Sequence, residues 1–192
     1  MSIVFMIFEV LKKGKRIEKK KKENRKMRKV AGLDLSINST GICIEGEKYY
    51  NIVPKLTKNH LSNTNTNIKV SQYEKTDDIN NNINNIANEI LKILKSHQVS
   101  IVVIEDVAMG AKSRSIIDLT GLNYWVRCLL KQNNIDFITV PPTLWKKIML
   151  GNGMATKDLI TDSWKRITKI QTELKKTDDL ADSYFLCKFY EK

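Results

Sequence analysis

Short apolar segments recur along the chain from residue 29 onward, and their composition predicts a succession of strands. Five segments rich in β-branched and other apolar residues predict strands: residues 29–36, 41–45, 49–54, 99–105 and 135–140. Gly46-Glu47 separates the second and third segments and predicts a tight hairpin. The fourth segment is apolar at almost every position, which is typical of a strand covered on both faces in the middle of a sheet.

A three-and-four spacing of apolar residues predicts helices between and after these strands. The spacing is clearest in a stretch whose apolar members are Ile79, Ile83, Ile86, Ile90 and Leu94. They share one face of an amphipathic helix, despite the asparagines between them. Further helices are predicted at residues 113–132, 144–150 and 157–167 and from Thr177 onward. The first half of the asparagine-rich stretch 59–88 predicts a loop instead.

The order of these elements predicts the fold class. Three strands come first and strands alternating with helices follow, so we expect an α/β fold with a mixed five-stranded sheet flanked by helices. A chain of 192 residues is long enough for one domain with a sizeable core. The apolar stretch at residues 3–8 is too short to span a bilayer, and no membrane association is expected.

The net charge of +12 is concentrated near the N-terminus. Residues 12–29 hold twelve Lys or Arg and two Glu, whereas residues 30–192 hold 21 basic and 18 acidic residues. We therefore predict a basic, disordered extension at residues 1–28 and a folded domain at residues 29–192. The extension is either a solvated or mis-started segment, with Met27 as an alternative start, or an arm that contacts phosphates. A mitochondrial import sequence is a third alternative.

Cysteine and histidine usage narrows the chemistry. Three isolated cysteines are expected to be reduced, buried thiols of an intracellular protein: Cys43, Cys128 and Cys187. The chain has only two histidines, so a histidine-rich zinc site is excluded.

Four acidic residues lie in apolar surroundings, where an isolated carboxylate would be costly. Asp34 interrupts the apolar first strand, and Glu105 ends the fourth. Asp179 and Asp182 are three residues apart at the start of an apolar helix, hence on one of its faces. The helix dipole alone would favour acids at that position. Four converging carboxylates nevertheless predict a site for hard divalent cations.

These residues fall in separated motifs that together resemble the RuvC-like Holliday junction resolvases of the RNase H-like superfamily. GLDLSINSTG places Asp34 in the first strand, and VVIEDV places Glu105 at the end of what is the family's fourth strand. DDLAD provides two acids three apart, Asp179 and Asp182. The segment WKKIMLGNGMATK reproduces a lysine, a Gly-x-Gly loop and a second lysine with Lys146, Gly151, Gly153 and Lys157. The resemblance extends from residue 29 to the end of the chain.

The resemblance implies an Mg²⁺-dependent endonuclease that resolves four-way DNA junctions by paired hydrolysis and leaves 5′-phosphate ends. Asp34 would bridge two Mg²⁺ ions, with Mn²⁺ as an alternative metal. The remaining ligands would be Glu105, Asp179 and Asp182. Asp178 competes with Asp179 for the third acidic position, and the family spacing favours Asp179.

Lysines complete the implied site. Lys146 or Lys157 would offset the charge that develops on the phosphorane, or would contact phosphates on a generally basic surface; the two roles are compatible. Lys147 competes with Lys146, which the family spacing favours. The candidate DNA contacts are Lys112, Arg114, Lys146, Lys147 and Lys157.

Branched DNA and a second copy of the chain are the partners that the resemblance implies. The helix at 113–132 matches the family's dimer helix, and Gly121 would allow two helices to approach closely; an ordinary core helix is the alternative. Tyr124 and Trp125 on the same helix are expected in the core rather than stacked on bases. The protein is expected inside the cell, in the cytoplasm or at sites of DNA replication.

Other functions stay open on the sequence alone. An RNase H-like nuclease for RNA–DNA hybrids or other branched DNA, and a junction-binding protein without catalysis, fit the same motifs. The Asp34 loop also resembles that of actin-like ATPases, but 192 residues cannot supply their duplicated halves. The preferred cleavage dinucleotide is not encoded in any motif. The lysine- and asparagine-rich composition fits a virus, a phage or another AT-rich genome.

Overall fold

The computed structural model describes residues 28–55, 67–107, 114–172, 174 and 177–192. The strands in these ranges are β1 (Val30–Asp34), β2 (Thr40–Ile44), β3 (Lys48–Pro54), β4 (Ile68–Tyr73), β5 (Ile101–Glu105) and β6 (Asp136–Val140). The helices are α1 (Ile79–Ser96), α2 (Arg114–Gln132), α3 (Pro142–Leu150), α4 (Lys157–Thr168) and α5 (Asp178–Phe189). The predicted extension at 1–28 lies outside the described residues except for Arg28, which forms an ion pair with Asp136 at 2.9 Å.

The described strands form one mixed sheet in the order β4-β3-β2-β1-β5-β6. β1, β2 and β3 are antiparallel neighbours, whereas β1 pairs with β5, β5 with β6 and β3 with β4 in parallel. The predicted α/β class and mixed sheet are confirmed. The predicted number of strands is wrong, because the described residues form a sheet of six strands rather than five.

The additional strand, β4, lies in the asparagine-rich stretch for which a loop was the expectation. The buried residues of β4 do not share one face of the strand. Ile68 packs in the apolar layer on one face of the sheet, and Tyr73 packs in the layer on the other face. A strand at the edge of a sheet is held largely by main-chain hydrogen bonds to its single neighbour, here β3. A strand of this kind leaves little apolar periodicity to detect.

Alternation along the strands separates two apolar layers on the faces of the sheet. Leu33 and Val102 pack in the layer that includes α1 and α2. Val103 packs in the layer that includes α3, α4 and α5, and Gly32 directly faces α5. Asp34 and Glu105 each follow two residues after Gly32 and Val103. Both carboxylates therefore project toward the face that α5 covers.

Two glycines allow the backbone of α5 to lie directly on the sheet. A Cβ atom at Gly32 would be 2.0 Å from the carbonyl oxygen of Ser183 and 2.5 Å from the backbone nitrogen of Cys187. A Cβ atom at Gly41, on β2, would be 2.1 Å from the carbonyl oxygen of Asp179. No side chain fits between these backbones, so the two glycines fix the position of α5 over β1 and β2.

We expect Gly32→Ala to destabilise the fold by about 1–3 kcal/mol, because the obstructing atoms belong to helix backbone that cannot rotate away. Equilibrium urea unfolding would measure the loss. Gly121→Ala, on α2, is the matched control, since its Cβ would meet only a side-chain methyl of Ile83 at 3.4 Å. The control should be neutral or slightly stabilising because alanine favours helix over glycine. Equal stability of the two variants would contradict the close seating of α5.

The cysteine prediction is confirmed at two positions and wrong at the third. Cys43 and Cys187 are buried free thiols between β2 and α5, whereas Cys128 is exposed. Cys128 lies on the solvent side of α2, whose other side fills the core with Leu122 and Val126. Among the described residues, none of the helices combines the length and apolar character needed to cross a membrane.

Candidate active site

Asp34 and Glu105 end two neighbouring parallel strands at the same edge of the sheet. The register of β1 and β5 aligns Leu33 with Ile104, the residues immediately before the two acids. Neighbouring strands are about 4.8 Å apart, so the two carboxylates start from adjacent positions on one face. The turn that follows Asp34 is closed by Thr40, whose hydroxyl donates to the carbonyl of Ser36 at 2.7 Å.

The first turn of α5 brings the second pair of acids to the same place. Gly41 is the residue that pairs with Asp34 across β1 and β2, and the Asp179 backbone rests on it. Asp182 lies one turn further along α5 and is half-buried. The close seating of α5 on Gly41 is therefore what places Asp179 and Asp182 beside Asp34.

The charges of three other acids act on Asp34. Burial raises the pKa of Asp34 well above its usual value. Neighbouring negative charges raise this pKa further and belong, from the largest contribution, to Asp182, Glu105 and Asp179. Lys157 acts in the opposite direction. Burial and the neighbouring acids therefore both disfavour the ionised form of Asp34.

Asp182 carries the clearest sign of a missing partner. Its Oδ1 atom is buried and has no hydrogen-bond partner within the part of the chain that is described. Burial, followed by the charge of Glu105, raises the pKa of the Asp182 carboxyl to about 7. A buried carboxylate oxygen left without a donor is costly, which indicates that a cation or another ligand belongs there.

Glu105 is oriented by two side chains that the sequence analysis did not identify. The buried indole of Trp145, on α3, donates from Nε1 to Glu105 Oε2 at 2.8 Å. Asn123, a buried residue of α2, donates from Nδ2 to the Glu105 carbonyl at 3.2 Å. Burial raises the pKa of Glu105, and the Trp145 hydrogen bond partly offsets this by stabilising the ionised form. Trp145 directly precedes Lys146. Its position inside a candidate catalytic motif is the feature of the sequence that could have identified it as a site residue.

The structure brings two of the candidate lysines to the acids. Lys157, the first residue of α4, donates from Nζ to Asp178 Oδ2 at 2.5 Å, and its charge lowers the pKa of Asp34. Lys146 lies with Nζ 5.4 Å from the Trp145 ring centroid, and its charge lowers the pKa of Glu105 and Asp182.

The structure describes the other candidate DNA contacts less completely. Lys147 is exposed on α3, next to Lys146. Lys112 lies outside the described residues. Arg114 begins α2, but its side chain is not among the described features.

The donor set fits a hard divalent cation. All four acids offer carboxylate oxygen, the ligand that Mg²⁺ and Ca²⁺ prefer, and Asp182 holds a buried oxygen in need of a partner. Within the described residues, no three His, Cys, Asp or Glu side chains are already arranged as a finished metal site.

Comparison with known proteins identifies the family. The model of the family "Crossover junction endodeoxyribonuclease RuvC" matches residues 46–187. The crossover junction endodeoxyribonuclease RuvC of Ehrlichia canis (strain Jake) is 29% identical over 168 residues, which cover 85% of this chain and 97% of the relative. That of Sulfurovum sp. (strain NBC37-1) is 27% identical over 152 residues, covering 78% and 86%.

Solved structures share the fold. The structure of Thermus thermophilus RuvC covers 83% of this chain and 90% of its own, with a TM-score of 0.56 at 15% identity. The same protein in complex with a Holliday junction substrate matches with a TM-score of 0.57 at 14% identity, with the same coverage. The resemblance inferred from the motifs is thus confirmed by the family match. The chain belongs to the RuvC family of crossover junction endodeoxyribonucleases.

Proposed function

We propose that this chain resolves four-way DNA junctions by metal-dependent hydrolysis at the pocket formed by Asp34, Glu105, Asp179 and Asp182. The observation that carries the proposal is that carboxylates from β1, β5 and α5 lie close enough to affect one another's pKa values, while a buried oxygen of Asp182 has no hydrogen-bond partner among the described residues. The names of the relatives as crossover junction endodeoxyribonucleases support the choice of substrate.

The residues of the chain have distinct tasks in this proposal. Asp34, Glu105, Asp179 and Asp182 would hold Mg²⁺ through their carboxylate oxygens, and the charges of the other three acids act on Asp34. When bound, the cations supply an activated water at neutral pH and stabilise the leaving 3′ oxygen, which yields a 5′-phosphate end. Trp145 holds Glu105 in one orientation through its 2.8 Å hydrogen bond, as supporting residues commonly do for metal ligands.

Lys146 and Lys157 would stabilise the transition state. Both ammonium groups lie close enough to Glu105 and Asp182 to lower their pKa values, and a phosphate bound at these acids would therefore meet positive charge. Charge that develops on the phosphorane oxygens is then met by groups already in position, and little reorganisation is required. Lys147, exposed on the same helix as Lys146, would contact the DNA backbone.

The most direct test is cleavage of a synthetic four-way junction by the purified chain in Mg²⁺. We expect symmetrically paired nicks with 5′-phosphate ends, and much slower cleavage of a linear duplex and of an RNA–DNA hybrid. Preferential cutting of the hybrid, or trimming of linear DNA alone, would reject the junction-resolving function. A branched-DNA substrate would place the protein inside the cell, in the cytoplasm or at a site of DNA replication.

A homodimer would supply the two active sites that paired nicks require. α2 offers a suitable surface, because its solvent side is apolar: Ile117 is 72% exposed, Tyr124 60% and Trp125 41%. The expectation that Tyr124 and Trp125 lie in the core is wrong, since the opposite side of α2 already fills it. Gly121 and Cys128 lie on the same exposed side. An apolar helix side of this kind is typical of a protein–protein interface.

We expect Ile117→Glu to convert a dimer into a monomer, because a carboxylate would have to be desolvated against an apolar partner. Sedimentation velocity would measure the change, and junction cleavage should shift from paired to single nicks. Ile167→Glu is the matched control, since Ile167 is 54% exposed on α4 rather than α2. A wild-type protein that sediments as a monomer at cleavage concentrations would reject the dimer.

A further inference from the structure

The ion pair between Lys157 and Asp178 joins the starts of two helices beside the four-acid pocket. Lys157 Nζ lies 2.5 Å from Asp178 Oδ2. Lys157 is the first residue of α4, where Thr156 caps the helix by accepting from the Leu159 backbone nitrogen at 3.4 Å. Asp178 is the first residue of α5, immediately before Asp179. Helix packing therefore fixes both backbones, and the ion pair fixes the side chain of the lysine.

Stability of the fold does not account for this pair. The Lys157 side chain is 75% exposed and that of Asp178 27%, and an ion pair with one partner so exposed contributes little to the free energy of unfolding. The pair has a clearer effect on the conformational freedom of the Lys157 side chain. A lysine side chain free in solvent samples many rotamers, and holding it in one of them must be offset by a specific contact.

The direction of that contact matters for catalysis. The charge of Lys157 reaches Asp34, Glu105 and Asp182 and lowers the pKa of each. The Asp178 carboxylate accepts a hydrogen bond from Lys157 Nζ at 2.5 Å, whereas the charge of Asp179 raises the pKa of Asp34. The carboxylate of Asp178 is thus directed to the lysine and that of Asp179 to the pocket, although the two residues are neighbours in the chain.

We infer that Asp178 is a positioning residue that holds the Lys157 ammonium at the mouth of the four-acid pocket, where it meets the scissile phosphate. The inference rests on the proposed function in one respect, namely that the group which Lys157 contacts is the scissile phosphate. Asp178 acts through Lys157 and does not ligate the cations. The choice between Asp178 and Asp179 that the sequence left open is resolved in this proposal by giving the two acids different tasks.

A labelling experiment tests the tether without any substrate. An amine-specific acylating reagent, followed by mass spectrometry of each lysine, measures how freely each ammonium reacts. Asp178→Asn should raise the acylation rate of Lys157 severalfold and leave that of Lys147 unchanged. Asp158→Asn is the matched control, because Asp158 is an exposed acid in the same helix turn as Lys157. An unchanged Lys157 rate in Asp178→Asn would overturn the tether.

Single-turnover cleavage of a saturating four-way junction tests the consequence. Asp178→Asn should slow the cleavage step roughly tenfold through misplacement of Lys157, with the junction Kd unchanged. Asp178→Glu should restore part of the rate, and Asp178→Asn should have no further effect in a Lys157→Ala background. A further loss in that background, or a shift in the Mg²⁺ concentration needed for half-maximal rate, would make Asp178 a ligand and overturn the inference. If the wild type does not cleave junctions, the proposed function fails, while the labelling result still decides the tether.

Discussion

Replacing Asp34 by asparagine is expected to reduce junction cleavage on the order of a thousandfold while leaving the fold intact. Asp34 is buried beside three other acids and is a proposed cation ligand, and asparagine keeps its size but loses the charge. Metal ions supply several kcal/mol of transition-state stabilisation, and each 1.4 kcal/mol corresponds to about tenfold in rate. Single-turnover cleavage of a labelled junction in Mg²⁺ would measure the loss.

Asp106→Asn is the matched control for this prediction. Asp106 directly follows Glu105 but is exposed to solvent, outside the pocket. The control should cleave at a rate close to that of the wild type. Junction binding in the absence of divalent cation should survive in Asp34→Asn, because phosphate contacts by lysines do not depend on the acids. Retained cleavage by Asp34→Asn would reject Asp34 as a cation ligand and the proposed mechanism with it.

Replacing Asp182 by asparagine is expected to stabilise the cation-free protein by up to about 4 kcal/mol at pH 8, and to leave its stability at pH 4 almost unchanged. The folded-state pKa of Asp182 is raised from 3.8 to about 7. The folded protein therefore holds this proton more tightly than the unfolded chain does. The stability that this group contributes is fully present below pH 4 and is lost as the pH rises to 7.

Urea unfolding in a chelator at several pH values would check this prediction. The wild type should lose stability between pH 4 and 7 relative to Asp182→Asn, and added Mg²⁺ should restore the wild type more than the variant. Asp162→Asn, at an exposed position of α4, should follow the wild type at every pH. Parallel stability curves for the wild type and Asp182→Asn would mean that Asp182 is not held in a repulsive pocket. The pKa of Asp34 is also raised, and this would add to the loss of stability of the cation-free protein as the pH rises.

Most of the fold and the four candidate acids could be predicted from the sequence, and the reason is physical. A carboxylate in an apolar strand or helix is costly wherever it is buried, and so the pattern around Asp34 and Glu105 is visible without a structure. Strong apolar periodicity likewise predicted the central strands and the long helices. The edge strand β4 escaped because its two buried residues face opposite layers of the sheet.

The supporting contacts of the pocket could not be predicted, because they depend on which backbones meet in space. Gly32 and Gly41 look like ordinary small residues until α5 lies on them. The hydrogen bond from Trp145 to Glu105 joins residues 40 positions apart, and the pair of Lys157 and Asp178 joins residues 21 apart. For the same reason the exposed side of α2 was assigned to the core: both of its sides are apolar, and only packing shows which one is covered.

The seating of α5 also sets the order in which a newly made chain can acquire activity. Asp34 leaves the ribosome early, in the first strand of the sheet, whereas two of its companions belong to the segment 178–189. Until that segment has emerged and packed on Gly32 and Gly41, only two of the four candidate site acids, Asp34 and Glu105, are in place. If Asp179 and Asp182 are cation ligands as proposed, nuclease activity can appear only after this segment has been translated, and a chain truncated before residue 178 would lack it.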